Sequence, residues 1–224
     1  MRKINYRNVL DETLRGLGGR VPSLLLHACC APCSSAVLEY LSAYFSITVF
    51  YYNPNISPEE EYRKRVAELR RLIAELPAKH PVSLLEGPYE PERFAALAEG
   101  HEGDPEGGAR CTACYALRLR ETAGRAKEGG FDFFTTTLSV SPYKDAQRLN
   151  RIGAALARET GVPYLFSDFK KRNGYLRSIQ LSHQYGLYRQ NYCGCVFSRR
   201  QAEPARTARR SERSEPPAQS GGTG

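Results

Sequence analysis

An apolar run, Leu24-Leu25-Leu26, leads straight into His27-Ala28-Cys29-Cys30-Ala31-Pro32-Cys33, which places three thiols in five positions. The run reads as a short buried strand, and the segment from Ser34 to Tyr44 reads as a helix. The thiols therefore occupy the turn at a strand's carboxyl end, the ligand-binding edge of an open α/β sheet. Backbone N–H groups at a helix start favour anionic sulfur. A lone cysteine is most simply core filling; three this close point to thiol chemistry.

The remainder alternates strand and helix signals. Ile47 to Tyr52 has the β-branched and aromatic content of a strand and halts at the turn Asn53-Pro54-Asn55. Ser57-Pro58-Glu59-Glu60-Glu61 opens a helix that runs to about Leu76, with Ser57 as its expected cap. Val82 to Leu85 reads as a third strand and Pro91 to Ala98 as a helix. The glycine-rich stretch Gly100 to Gly108 is expected to be a mobile loop over the site. It delivers the chain to Cys111-Thr112-Ala113-Cys114, a CxxC opening a helix that Gly129-Gly130 ends. A strand over Phe131 to Thr137, a polar turn, a helix to Thr160, a last short strand over Val162 to Phe166 and a helix over Tyr175 to Tyr185 follow. The expected fold is α/β, a mostly parallel Rossmann-like sheet with helices on both faces and a cysteine-rich edge. Residues 1–198 form one expected domain; residues 199–224, rich in Arg, Ser, Pro and Gly, are an expected disordered tail.

At 224 residues and 41% hydrophobic composition the chain can bury a substantial single core. No run approaches a membrane span, so a soluble, cytoplasmic protein without a membrane partner is expected. Seven cysteines in that compartment argue for metal or redox chemistry over a disulfide framework. Of the net charge of +8, the segment from Arg199 onward carries +3, so the basic character belongs mainly to the body and suits a polyanionic partner.

All seven cysteines fall in three knots: Cys29/Cys30/Cys33, Cys111/Cys114 and Cys193/Cys195. Four thiolates suffice for a [4Fe–4S] cluster or a structural zinc. Adjacent Cys29 and Cys30 would strain a mononuclear zinc site, whereas different iron atoms of a cubane can take them, which favours iron–sulfur. The three surplus thiols suggest a second metal or a redox-active pair; Cys193-Gly194-Cys195 can chelate a metal or close a strained, easily reduced disulfide.

The sequence resembles the cobalamin-independent epoxyqueuosine reductases, the QueH family. The resemblance rests on the cysteine turn from His27 to Cys33, Tyr52-Asn53-Pro54-Asn55-Ile56 with Glu61-Tyr62, Arg110-Cys111-Thr112-Ala113-Cys114-Tyr115, Thr136 to Lys144, Asp168-Phe169-Lys170-Lys171, and Gln190-Asn191-Tyr192-Cys193-Gly194-Cys195. It implies reduction of epoxyqueuosine to queuosine at the wobble position of tRNA, the last step of that biosynthesis, with an unidentified electron donor. It also implies [4Fe–4S] ligands at Cys29, Cys30, Cys111 and Cys114, and a disulfide or a second iron at Cys193 and Cys195. Some members carry aspartate where this chain has Cys33, so that position resembles a ligand to the additional metal.

Candidate proton donors are Tyr143, Lys144, Asp168 and Tyr192. His27 reads as a satisfied histidine at a strand end, and Asn53 and Asn55 read first as turn formers. Lys170, Lys171, Arg172 and Arg177 are candidate phosphate contacts, with Tyr175 for base stacking. A zinc-stabilised, non-catalytic RNA-binding protein is the main alternative. An ATP-dependent tRNA enzyme would need a phosphate loop, and the turn from Cys29 to Ser35 lacks glycine. A thioredoxin-like reductase would place its CxxC after a strand and leave the other thiols idle.

Overall fold

The computed structural model describes residues 4–202. Four parallel strands, β1 (Ser23–His27), β2 (Ser46–Tyr51), β3 (Val82–Glu86) and β4 (Phe133–Thr136), form one sheet in the order β3-β2-β1-β4. Seven α-helices surround it: α1 (Tyr6–Gly16), α2 (Ala31–Leu41), α3 (Glu59–Glu75), α4 (Pro91–Ala98), α5 (Ala109–Glu128), α6 (Ala146–Thr160) and α7 (Gly174–Gln184). The pleat sends alternate side chains to opposite faces. Leu24, Leu26, Ile47 and Val49 pack with Leu10, Leu38 and Leu69 of α1, α2 and α3. Leu25 and Phe50 pack on the other face with Leu119 and Leu149 of α5 and α6. β1 and β2 are buried on both sides, as central parallel strands must be.

Because every strand runs the same way, the chain leaves β1, β2 and β4 at a single edge. The loops there carry Ala28 to Cys30, Tyr52 to Pro58, and the 3₁₀ turn Thr137–Val140. This is the edge on which the first cysteines were expected.

Three expectations need correction. The last strand, over Val162 to Phe166, is reduced to one parallel bridge between Phe134 and Tyr164. Among the described residues, only the backbone bonds from Phe134 N–H to Pro163 O and from Leu165 N–H to Phe134 O form. Pro163 lacks the N–H that would extend the ladder backwards, and forwards Thr135 Oγ1 donates to the Leu165 carbonyl while Asn150 Oδ1 accepts from the Ser167 N–H. The boundary at 199 falls inside a helical segment, since residues 196–202 are helical; the rest of the expected tail lies outside the described residues. Pro58, not Ser57, is the N-cap of α3, and the helix start has no side-chain cap; the acids Glu59, Glu60 and Glu61 occupy its first turn.

The Tyr164 ring packs into the core beneath α6 and meets Phe134 edge-on. Gly153 of α6 makes this possible: a Cβ there would stand 2.5 Å from the Tyr164 ring. Gly153→Ala should therefore cost about 1–3 kcal/mol through overpacking, read as a lower urea midpoint with an unchanged m value.

Candidate active site

The first knot forms a compact triad. Cys30 is the N-cap of α2, with extended backbone and a proline in the helix's first turn. The sulfurs of Cys29, Cys30 and Cys33 all lie within 4.8 Å of one another, and those of adjacent Cys29 and Cys30 are 3.8 Å apart. Zn–S bonds of about 2.3 Å in a tetrahedron set neighbouring sulfurs about 4 Å apart. Adjacency in sequence thus does not keep these two thiols from facing one ion, contrary to the expectation of strain. The triad titrates as a unit. Hydrogen bonds from Cys29 and Cys33 pull Cys30 well below the usual thiol value against the cost of burial, and Arg65 adds to the pull. Cys29 and Cys33 are correspondingly held above it.

The other two knots line one cavity, together with Asn55, Arg110 and Arg118. Cys111 and Cys114 stand in the first two turns of α5, three residues apart and hence on one helical face. Burial pushes the Cys114 thiol up to about 11. Cys193 and Cys195 are separate free thiols with different partners. Lys144 Nζ donates to Cys193 Sγ at 3.3 Å, whereas Cys195 Sγ accepts from the Ser198 N–H at 3.4 Å. Gly194 between them has φ +130, and a Cβ would meet Ile56 at 2.9 Å and Arg65 at 3.1 Å. Only glycine lets this turn lie flat on α3.

Two buried arginines join the knots. Arg65 Nε donates to Glu61 at 2.7 Å and Nη1 donates to the Cys193 carbonyl at 2.9 Å. Arg118 Nε donates to the Cys114 carbonyl and Nη1 to Asn53 Oδ1; Asn53 Nδ2 in turn donates to the Ala28 carbonyl at 2.8 Å. Burial works against the Arg118 charge, yet Cys114, Cys193 and Cys29 together raise its pKa. No carboxylate pairs with it among the described residues. Sequence reasoning missed both arginines, although a signal exists. Arg65 lies between Tyr62 and Leu69 on the apolar stripe of α3, and Arg118 lies four residues beyond Cys114.

His27 is satisfied as expected. Nε2 faces the Tyr52 carbonyl at 3.2 Å, which requires the proton there, and Nδ1 faces Thr136 Oγ1 at 2.8 Å. Burial, reinforced by Arg118, lowers its pKa to about 3.

Of the four proton-donor candidates, Tyr143, Lys144 and Asp168 line one cleft with Ile4, Asn5, Lys170 and Lys171. Tyr192 sits in a separate groove with Tyr188 and Lys64. Lys144 is only 8% exposed; burial opposes its charge, but Cys193 and Tyr115 carry its pKa above the ordinary lysine value. Asp168 accepts from Lys170 Nζ at 3.0 Å. Two candidate phosphate contacts are already engaged: Arg172 pairs with Asp11 and Arg177 with Glu39, each at 2.6 Å. The glycine-rich loop is tied down where mobility was expected. Arg110 Nη1 donates to the His101 and Glu102 carbonyls, Asp104 accepts from the Arg110 N–H, and Arg148 Nη1 donates to the Gly107 carbonyl. This brings Glu106 to 3.9 Å from Lys144 Nζ.

The donor set fits a thiolate-rich metal group. Among the described residues, buried N–H groups at Arg65 Nη2, Arg110 Nε and Arg118 Nη2 have no acceptor, and Asn55 Oδ1 has no donor. Three buried cations beside free thiols are the environment that sulfur anions require.

The family model described as epoxyqueuosine reductase QueH matches residues 24–201. The chain is 42% identical over 200 residues to an epoxyqueuosine reductase QueH from Streptococcus pyogenes serotype M1, covering 88% of this chain and 78% of that one. It is 42% identical over 202 residues to the one from Staphylococcus epidermidis, covering 88% and 85%. A crystal structure of NAD+ synthetase from Burkholderia pseudomallei covers 96% of this chain and 92% of its own at 14% identity and a TM-score of 0.27, too weak a likeness to define the fold.

Arg118→Met should separate two effects of this buried charge. Stability of the metal-free chain, read from its urea midpoint, should not fall, because an unpaired buried cation is costly. Metal retained per chain after dialysis, read by mass spectrometry, should drop.

Proposed function

The chain belongs to the epoxyqueuosine reductase QueH family, and we propose that it removes the epoxide oxygen of epoxyqueuosine at the wobble position of tRNA, leaving the alkene of queuosine. The observation that carries this reading is the gathering of all seven cysteines, as a triad and a four-thiol cavity, around Arg65, Arg118 and Lys144. No helix among the described residues is long and apolar enough to cross a membrane.

Each turnover takes two electrons and two protons and releases the oxygen as water. Cys29, Cys30, Cys111 and Cys114 would hold a [4Fe–4S] cluster, which when bound would pass electrons singly from an external donor, and Cys33, Cys193 and Cys195 would hold a second iron or, at Cys193 and Cys195, serve as a redox-active thiol pair. The protein's own part is to hold the substrate, exclude water and deliver protons. Lys144 is the donor we assign. Its ammonium lies at the boundary between thiols and cleft and keeps its proton despite burial. Nζ–H can therefore stabilise and protonate the oxygen as the C–O bond opens. Glu106 stands 3.9 Å away to return that proton, and the second enters from solvent through the cleft. The exposed Tyr143 is not held in a donor geometry, and Asp168 already accepts from Lys170. Both observations favour Lys144.

Anaerobic purification with iron, sulfide and zinc counting, followed by nucleoside mass spectrometry of treated tRNA, tests the reading. About four or more iron with matching sulfide, and epoxyqueuosine converted to queuosine, is the expected result. One or two zinc without sulfide or turnover would replace it with the zinc-stabilised RNA-binding module. Cys193→Ser should keep the brown chromophore while turnover falls to background; loss of both would make Cys193 a structural ligand. Lys144→Met should lower kcat about a hundredfold or more with the chromophore retained.

A further inference from the structure

A cleft of about 600 Å³ opens beside the thiols, between the N-terminal segment at Asn5, the loop holding Tyr143 and Lys144, and the loop from Asp168 to Lys171. Its volume falls in the range of small-molecule sites, enough for one nucleoside and too small for a duplex. Lys144 forms part of its wall and also reaches Cys193 Sγ at 3.3 Å, so the cleft and the thiol cavity meet at one side chain.

The lining is chemically uneven. Lys170 Nζ is neutralised by Asp168 at 3.0 Å. Lys171 Nζ meets only the neutral Asn5 Oδ1, at 2.8 Å, and no carboxylate pairs with it among the described residues. Its charge is therefore available to an incoming anion. Tyr143 is 78% exposed, and among the described residues its ring has no aromatic or cationic partner. Its backbone is nonetheless anchored, since the Tyr143 N–H donates to Ser141 Oγ at 3.3 Å. An exposed, unpartnered ring beside an uncompensated ammonium is the pairing that reads single-stranded nucleic acid: the ring stacks on a base while the cation takes its phosphate.

We propose that this cleft receives one nucleotide extruded from the anticodon loop, with Tyr143 stacked on a base, Lys171 on the phosphate backbone, and Lys144 facing the modified group at the inner end. The proposal rests on the tRNA reading above. An unpaired loop nucleotide leaves its stack at little cost, which suits a pocket of this size.

The test uses the full metal-loaded chain and a fluorescently labelled anticodon stem-loop RNA, with a blunt duplex of the same stem as comparison. Wild type should bind the stem-loop more tightly than the duplex. Tyr143→Ala should weaken stem-loop binding about tenfold with an unchanged salt slope, and Tyr143→Phe should restore it. Lys171→Glu should weaken binding and flatten the slope of log affinity against log salt by about one. Lys127→Glu, at the carboxyl end of α5 and so near the opposite edge of the sheet, should change neither. If Tyr143→Ala and Lys171→Glu bind like wild type while wild type converts epoxyqueuosine in tRNA, the cleft assignment falls and the reductase reading stands. The predicted binding pattern without any epoxide reduction would uphold the cleft as an RNA site and overturn the reductase reading. Equal affinity of wild type for stem-loop and duplex would overturn the cleft assignment.

Discussion

Guanidinium groups buried among thiols set the terms for the rest of this molecule. Arg118 reaches the Cys114 carbonyl and, through Asn53, the backbone at Ala28; Arg65 reaches the Cys193 carbonyl. A charge removed from water must find opposite charge or hydrogen-bond acceptors, and protein supplies these only in part. The remaining demand falls on sulfur. The same contacts that make the arginines tolerable hold three distant stretches of chain in one neighbourhood, so assembling the site and accommodating the charge are one physical problem.

The sheet solves the placement. Parallel strands leave at one edge, and α5, which follows the tethered loop, brings its first two turns there with Cys111 and Cys114. Lys144 arrives just beyond the 3₁₀ turn after β4. It lies between the thiol cavity and an open polar cleft, which makes it the only assigned acid that faces both.

Much of this was legible in the residues. β1 announced itself as a leucine run and β2 as a β-branched and aromatic run ending at Asn53-Pro54-Asn55, and the cysteine knots marked the chemical edge. The fifth strand failed at one end because a proline cannot donate to a ladder, a local rule overlooked in favour of an apolar run, and at the other because Thr135 and Asn150 side chains take its backbone partners. The loop from Gly100 to Gly108 looked mobile because glycine count speaks of freedom, whereas Arg110 and Arg148 impose order from positions outside it. Arg65 was hidden by company: α3 also carries Arg63, Arg70 and Arg71, and composition does not tell the buried cation from exposed ones. Arg172 and Arg177 looked available for phosphate because their partners, Asp11 and Glu39, are remote in sequence.

The Arg65 contact with the Cys193 carbonyl spans 128 positions of chain. Synthesis proceeds from the amino end, so all four strands of the sheet and five of the seven thiols exist before the segment that closes the pocket has been made. The turn that completes the four-thiol cavity is therefore the last part of the site to be made. Arg65, which helps hold Cys30 below the usual thiol value in the folded chain, gains its Cys193 carbonyl acceptor only with that last turn.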